Sequence, residues 1–333
     1  MPISAPFLSQ SRNVPAIMRQ VLYALLPGIF VYTYLAGIGV LINLLLAILF
    51  CAISESVFSF LRGQDALDNL KDYSTLVSAC LLALCLPPLL PWWITAIASL
   101  FSIVVGKQLY GGLGLNPFNP AMLGYVVVFI SFPQAMTRWL DPIQLQSIGL
   151  YDSLMMVLQG QASSSSWDAI SQATPLDSLR TQLHNGFIIT EAQQGWLILQ
   201  NSQTWLALSY AAGGIWLYYR RVINWQIPLF TLLGLLLPAV IFYWLNPQHY
   251  ASPWFHLFNG ATMLCAFFIA TDPVSAASSD KGRIIYAFGI GLIAYLIRSF
   301  GGYPDGFAFA VLLMNLAAPT IDMFTKPRIY GHH

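Results

Sequence analysis

Along this chain the apolar residues are gathered into long runs, and the polar ones are pushed to the ends of those runs or into one stretch near the middle. Charge-free segments cover 20–54, 108–137, 192–219 and 222–271, and further apolar runs fall around 74–106, 284–297 and 306–321. A helix needs about 20 mainly apolar residues to cross a bilayer, so the longer runs hold one or two spans each. Divided at their glycines, prolines and charges, they predict ten spans near 18–34, 38–58, 74–87, 92–106, 119–131, 203–219, 225–244, 255–271, 283–299 and 306–323. The pattern is that of an all-α polytopic membrane protein.

Five spans on each side of residues 132–202 bring the second half into the membrane from the opposite face, the geometry of two inverted five-helix repeats. Short matches support it. Thr75–Ala79 (T-L-V-S-A) resembles Thr262–Ala266 (T-M-L-C-A), each followed by a proline, Pro87 or Pro273. Lys107 and Gly111-Gly112 before N-P-F resemble Arg298 and Gly301-Gly302 before D-G-F. The third and eighth spans are short and end at proline, as broken helices do when their free backbone ends line a midplane site. Proline is also an ordinary helix terminator, so both readings stand at this point.

Composition agrees with the pattern. Of 333 residues 57% are hydrophobic and 8% charged, and the mean hydropathy is +0.66, which excludes a soluble domain of ordinary make-up. A formal net charge of +1 suggests neither a nucleic-acid partner nor a polybasic lipid clamp. The first 16 residues are polar and mixed, which predicts a retained first span rather than a cleaved signal peptide. With the N-terminus inside, Arg138, Arg180 and Arg298 alone among the lysines and arginines fall outside, a positive-inside bias. The expected organisation is a cytoplasmic N-terminus over 1–17, a first repeat over 18–131, a periplasmic loop over 132–202, a second repeat over 203–324 and a cytoplasmic C-terminus over 325–333.

Familiar catalytic signatures are missing: no Walker A loop, no complete G-x-G-x-x-G, no H-E-x-x-H. His184, His249 and His256 are scattered and read as surface or interfacial side chains. Cys51, Cys80, Cys85 and Cys265 lie in apolar runs without C-x-x-C spacing and read as buried small hydrophobes. No metal site is expected, and any redox chemistry has to come from a bound group. The loop is the place to look. It carries Asp141, Asp152, Asp168, Asp177 and Glu191 against Arg138 and Arg180, and a run of serines, Ser163–Ser166, leads through Trp167 into D-A-I-S-Q-A-T-P-L. On composition alone Ser171–Pro175 is a turn or helix start, with Asp177 early in the helix.

Residues 168–174 resemble the D-x-x-[S/T]-G-A-T signature at which a flavin transferase joins FMN, through its phosphate, to the final threonine. Asp168, Ser171, Ala173 and Thr174 match, and Gln172 stands where glycine is usual. Further stretches resemble one family: D-N-L-K-D-Y-S-T-L-V-S-A at 68–79, G-G-L-G-L-N-P-F-N-P-A-M at 111–122, A-T-D-P-V-S-A at 270–276 and G-G-Y-P-D-G-F-A-F-A at 301–310. Together they are similar to the NqrB/RnfD family, over about residues 17–329.

That resemblance implies an FMN-carrying, multi-pass inner-membrane subunit of an ion-translocating oxidoreductase complex that passes electrons between NADH and ferredoxin. Such a subunit is not catalytic alone. Its implied partners are the A, B, C, E and G subunits of the Rnf complex, a flavin transferase and membrane lipid, with room for a second, noncovalent flavin. A phosphoester needs a hydroxyl, small neighbours and exposure to the transferase, and a polar loop offers all three. The second G-A-T, Gly260–Thr262, lies in the eighth span with His256 in place of the aspartate, and Thr262 reads as a packing or helix-lining hydroxyl. Glu55, Asp72, Asp272 and Asp305 lie near expected span ends as candidates for ion coupling, with capping and pairing, Asp305 with Arg298 for one, as the plainer roles. A transporter or channel of inverted-repeat fold, and a scaffold subunit without flavin, are the competing functions.

Overall fold

The computed structural model of the chain describes residues 13–140, 148–160, 171–189, 197–303 and 305–325. In chain order the helices are α1 (Val14–Ala36), α2 (Gly39–Leu61), α3 (Ala66–Leu70), α4 (Ser74–Cys85) and α5 (Trp92–Leu100), the last running on as a π turn, Phe101–Val105. Next come α6 (Pro120–Ser131), α7 (Pro133–Met136), α8 (Leu150–Gln159), α9 (Pro175–His184), α10 (Leu197–Tyr219) and α11 (Gln226–Leu245). Then follow α12 (Pro253–Phe258), α13 (Thr262–Leu264, continued by a π turn over Cys265–Ile269), α14 (Asp280–Phe300) and α15 (Phe307–Thr325). Six segments, α1, α2, Trp92–Tyr110, α11, α14 and α15, are long and apolar enough to cross a membrane, and α4 and α6 are shorter apolar helices. Exposed Phe30, Tyr34, Leu45, Phe60, Tyr219 and Trp244 project from helix flanks, which suits contact with lipid tails rather than water.

Between helices in lipid the hydrophobic effect contributes little, so close packing has to hold them. Glycine provides it. A Cβ at Gly234 would lie 2.3 Å from Phe288 O, and one at Gly291 2.1 Å from Thr231 O, so α11 and α14 meet backbone against backbone. The α1–α10 seam is built the same way, with Gly28 under the Tyr210 ring and Gly213 against Ala24 O.

The eighth expected span is broken in its middle. Helix α12 ends at Phe258, Asn259 is extended, Gly260 takes φ +69°, and α13 restarts at Thr262. Breaking a helix frees carbonyls on one side and N–H groups on the other, and inside a membrane these need partners. A single ion pair supplies them. Arg298 Nη1 donates to His256 O at 2.9 Å and Nη2 to Asn259 O at 3.3 Å, while Asp305 Oδ2 accepts from Ala261 N at 2.8 Å.

The third expected span corresponds to α4, which ends at Cys85 ahead of Pro87 and Pro88. Its start is held by Asp72, whose Oδ1 accepts from Ser74 N and Ser74 Oγ, both at 2.7 Å. Lys71, beside it in sequence, pairs with Asp68 instead.

Ahead of the second half, a two-residue antiparallel clasp pairs β1 (Trp139–Leu140) with β2 (Ser171–Gln172), Trp139 opposite Gln172 and Leu140 opposite Ser171. Helix α9 follows β2 directly and docks on α12, where Leu176, Leu179, Ile189, Ala251 and Phe255 form a small apolar cluster. Arg180 adds a hydrogen bond to Gly302 O.

Candidate functional site

Thr174 is the N-cap of α9. Its backbone is extended (φ −61°, ψ 156°), Pro175 takes the first helical position, and its Oγ1 accepts from Asp177 N at 3.3 Å. Pro fits there because its fixed φ suits the helix and its missing N–H would be unpartnered anyway. Thr174 is half-buried and Ala173 exposed. Gln172 lies in strand backbone, so this position does not call for the left-handed conformation that glycine alone adopts freely. Ser171 shares that strand, and Asp168 lies outside the described residues.

Ala173 and Thr174 line a cavity of about 180 Å³. Its walls come from α1 (Tyr32), α4 (Leu84, Cys85), α6 (Met122, Tyr125, Phe129), α10 (Leu206, Tyr210), α13 (Leu264) and α15 (Phe307), with Trp139 of the clasp and Asp177 of α9 also lining it. The surface is mostly aromatic and aliphatic. Tyr32 lines it, and the Tyr32 hydroxyl itself is buried in the protein with no hydrogen-bond partner among the described residues. Gly260, Ala261 and Asp305 complete the lining at the helix break.

The break is tightly filled. A Cβ on Gly260 would lie 2.5 Å from Asp305 Oδ2, 2.6 Å from Arg298 Nη2 and 2.7 Å from Leu176 Cδ1. Arg298 Nη2 meets Asp305 Oδ1 at 3.1 Å, Nε reaches the same oxygen at 3.3 Å, and the guanidinium lies 4.9 Å from the Phe307 ring centroid. Thr262 Oγ1 bonds His256 O at 2.8 Å and accepts from Arg298 Nη1 at 3.1 Å. The expected helix-lining role of Thr262 and the Asp305–Arg298 pair are thus both present.

Other expected positions need correction. His256 is buried, 5% exposed, with its ring against Tyr295, because the helix break turns its carbonyl to Arg298 and its side chain inward. Glu55, near the end of α2 as expected, and Lys107, expected in the cytoplasm, are both buried and paired at 2.9 Å. Asp272 caps the turn after the π segment, accepting from Val274 N and Ser275 Oγ, as a capping role requires. Cys51, Cys80 and Cys265 are buried free thiols, and Cys85 is half-buried on the cavity wall.

Apolar flanks, a broken helix whose free ends are bonded by an ion pair, and a mostly apolar cavity beside it define a multi-pass helical membrane protein. Sequence comparison makes the assignment specific: residues 2–331 match the model of the NQR2, RnfD, RnfE family, and the chain belongs to that family. It is similar to proteins named as the D subunit of an ion-translocating oxidoreductase complex. That of Yersinia pseudotuberculosis (serotype O:1b, strain IP 31758) is 47% identical over 342 residues, covering 99% of this chain and 97% of the relative. That of Alcanivorax borkumensis is 47% identical over 339 residues, covering 99% and 96%. That of Vibrio cholerae (serotype O1, strain ATCC 39541) is 46% identical over 342 residues, covering 99% and 98%.

Proposed function

We propose that the chain is the flavin-carrying membrane subunit of an ion-translocating oxidoreductase complex, with FMN esterified through its phosphate to Thr174 Oγ1. The observation that carries this reading is the position of Thr174, at once a cavity-lining hydroxyl and the N-cap of α9. A phosphate on that oxygen falls at a helix N-terminus, where free N–H groups and the positive end of the helix dipole favour an anion. The cavity offers aromatic walls, Tyr32, Tyr125, Phe129 and Phe307 among them. A dry apolar cavity of ~150 Å³ takes up benzene, so this one, at about 180 Å³, has room for one edge of a flavin's fused three-ring system and not for the whole of it.

Once bound, FMN supplies one-electron carriage. The chain's own part would be to hold the phosphate at α9 and to offer the cavity lined by Tyr32, Tyr125 and Phe307 to the flavin. Electrons pass through this chain between NADH and ferredoxin in company with the A, B, C, E and G subunits, after a flavin transferase has loaded it.

The finer architecture belongs to the same proposal: ten spans as two inverted repeats in the bacterial inner membrane, with both termini cytoplasmic and Thr174 on the periplasmic side. The paired contacts Lys107–Thr75 and Arg298–Thr262 support the repeat, since each joins residues that the sequence matches across the two halves. In-gel fluorescence of the denatured chain, co-expressed with a flavin transferase, tests the attachment. A fluorescent band is expected in the wild type and none in Thr174→Ala, with the mass of FMN on the peptide that contains residue 174. A dark wild-type band would sink the flavin reading and leave transport by the isolated chain in liposomes to be assayed.

A further inference from the structure

Asp305 is the charged side chain that the helix break brings to the cavity. Its side chain is 23% exposed, whereas that of Arg298 behind it is fully covered. Oδ1 is occupied by Arg298 and by Phe307 N at the start of α15, and Oδ2 accepts from Ala261 N at the start of α13. Two backbone N–H groups and one guanidinium therefore hold the carboxylate in place, and among the described residues Oδ2 accepts one hydrogen bond and can accept another. Gly260 has no side chain to screen it, and a Cβ there would clash with that oxygen.

We propose that Asp305 is a positioning residue whose charge sets the reduction potential of the flavin tethered at Thr174. The inference rests on the attachment proposed above. In a site lined by apolar side chains, charges act on one another much more strongly than in water, and charge near a flavin ring tunes its electronics. A carboxylate at the wall opposes added electron density and holds the potential down. Arg298, one layer back, partly offsets it. The two members of the pair thus act with opposite sign, a pattern that loss of packing would not reproduce.

The test is a spectroscopic redox titration of the full chain, loaded by co-expression with a flavin transferase, alongside in-gel fluorescence of the same samples. Asp305→Asn keeps the side-chain shape and is expected to raise the midpoint potential; Arg298→Gln, which leaves the carboxylate uncompensated, is expected to lower it. Asp305→Glu restores the charge and should return the midpoint toward wild type. Either arm is sufficient if the other variant does not accumulate. A fluorescent band with an unchanged midpoint, or with both variants shifted the same way, overturns this inference alone. A dark wild-type band overturns the attachment at Thr174, and this inference with it.

Discussion

The first half of the molecule buries Lys107 beside Thr75 in the opening turn of α4, and the second buries Arg298 beside Thr262 at the start of α13. Both place a cation where the helix dipole disfavours it, and both offset it with an acid. In the first half the arrangement is sealed. Lys107 Nζ spends its three donors on Glu55 at 2.9 Å, Ser74 Oγ at 2.8 Å and Thr75 Oγ1 at 3.1 Å, and neither charged side chain is more than 3% exposed. Gln108 and Arg62 extend the network outward. In the second half the guanidinium bonds two free carbonyls as well as the acid, and the acid reaches the cavity. The difference teaches that one half uses its ion pair to close a helix junction, while the other uses the same device to close a break and leave a charged group on the cavity wall.

The largest expected effect comes from unbalancing the sealed pair. Lys107→Met leaves Glu55, whose Oε2 already lacks a partner among the described residues, as a buried carboxylate held by Gln108 but without its counter-charge. That costs about 3–5 kcal/mol and should show as a large drop in unfolding temperature of the detergent-solubilised chain. The double variant Glu55→Leu/Lys107→Met should recover most of it, and failure to recover would mean the pair does more than close the junction. Arg298→Lys keeps the charge but cannot span His256 O, Asn259 O and Asp305 together. A loss of about 1–3 kcal/mol follows, read in the same assay, and a variant as stable as wild type would refute the carbonyl-bonding role. Thr75→Val removes one of three acceptors from Lys107 and should cost about 1 kcal/mol. A cost as large as that of Lys107→Met would break the ranking.

Much of this was legible in local sequence. Pro87 marked the end of α4, Arg298 was a candidate partner for Asp305, and S-Q-A-T-P-L-D read as a turn or helix start, whereas Pro27, Pro238 and Pro319 lie inside helices and the break at Gly260 fell within an expected span. What stayed hidden depends on contacts far apart in sequence. Glu55 meets Lys107 across 52 residues, and nothing near either one signals it. Asp72 was close to Lys71 in the chain, yet the turn at Tyr73, with φ +62°, points it at Ser74 instead. The cavity was invisible for the same reason, since α1, α4, α6, α10, α13 and α15 each contribute only a few side chains to it. His256 read as a surface or interfacial side chain because the histidines are scattered along the sequence, whereas it lies near the end of a short helix that is enclosed by protein.

The clasp of Trp139–Leu140 on Ser171–Gln172 has a wider consequence. It brings residues 140 and 171 side by side immediately before the N-cap threonine. Between the two strands lies α8, whose Met156 and Val157 are buried with Leu89, so the clasp ties the ends of a segment that is itself docked on the bundle. One short pairing thereby fixes both where that segment leaves the first half and where the chain re-enters at Thr174.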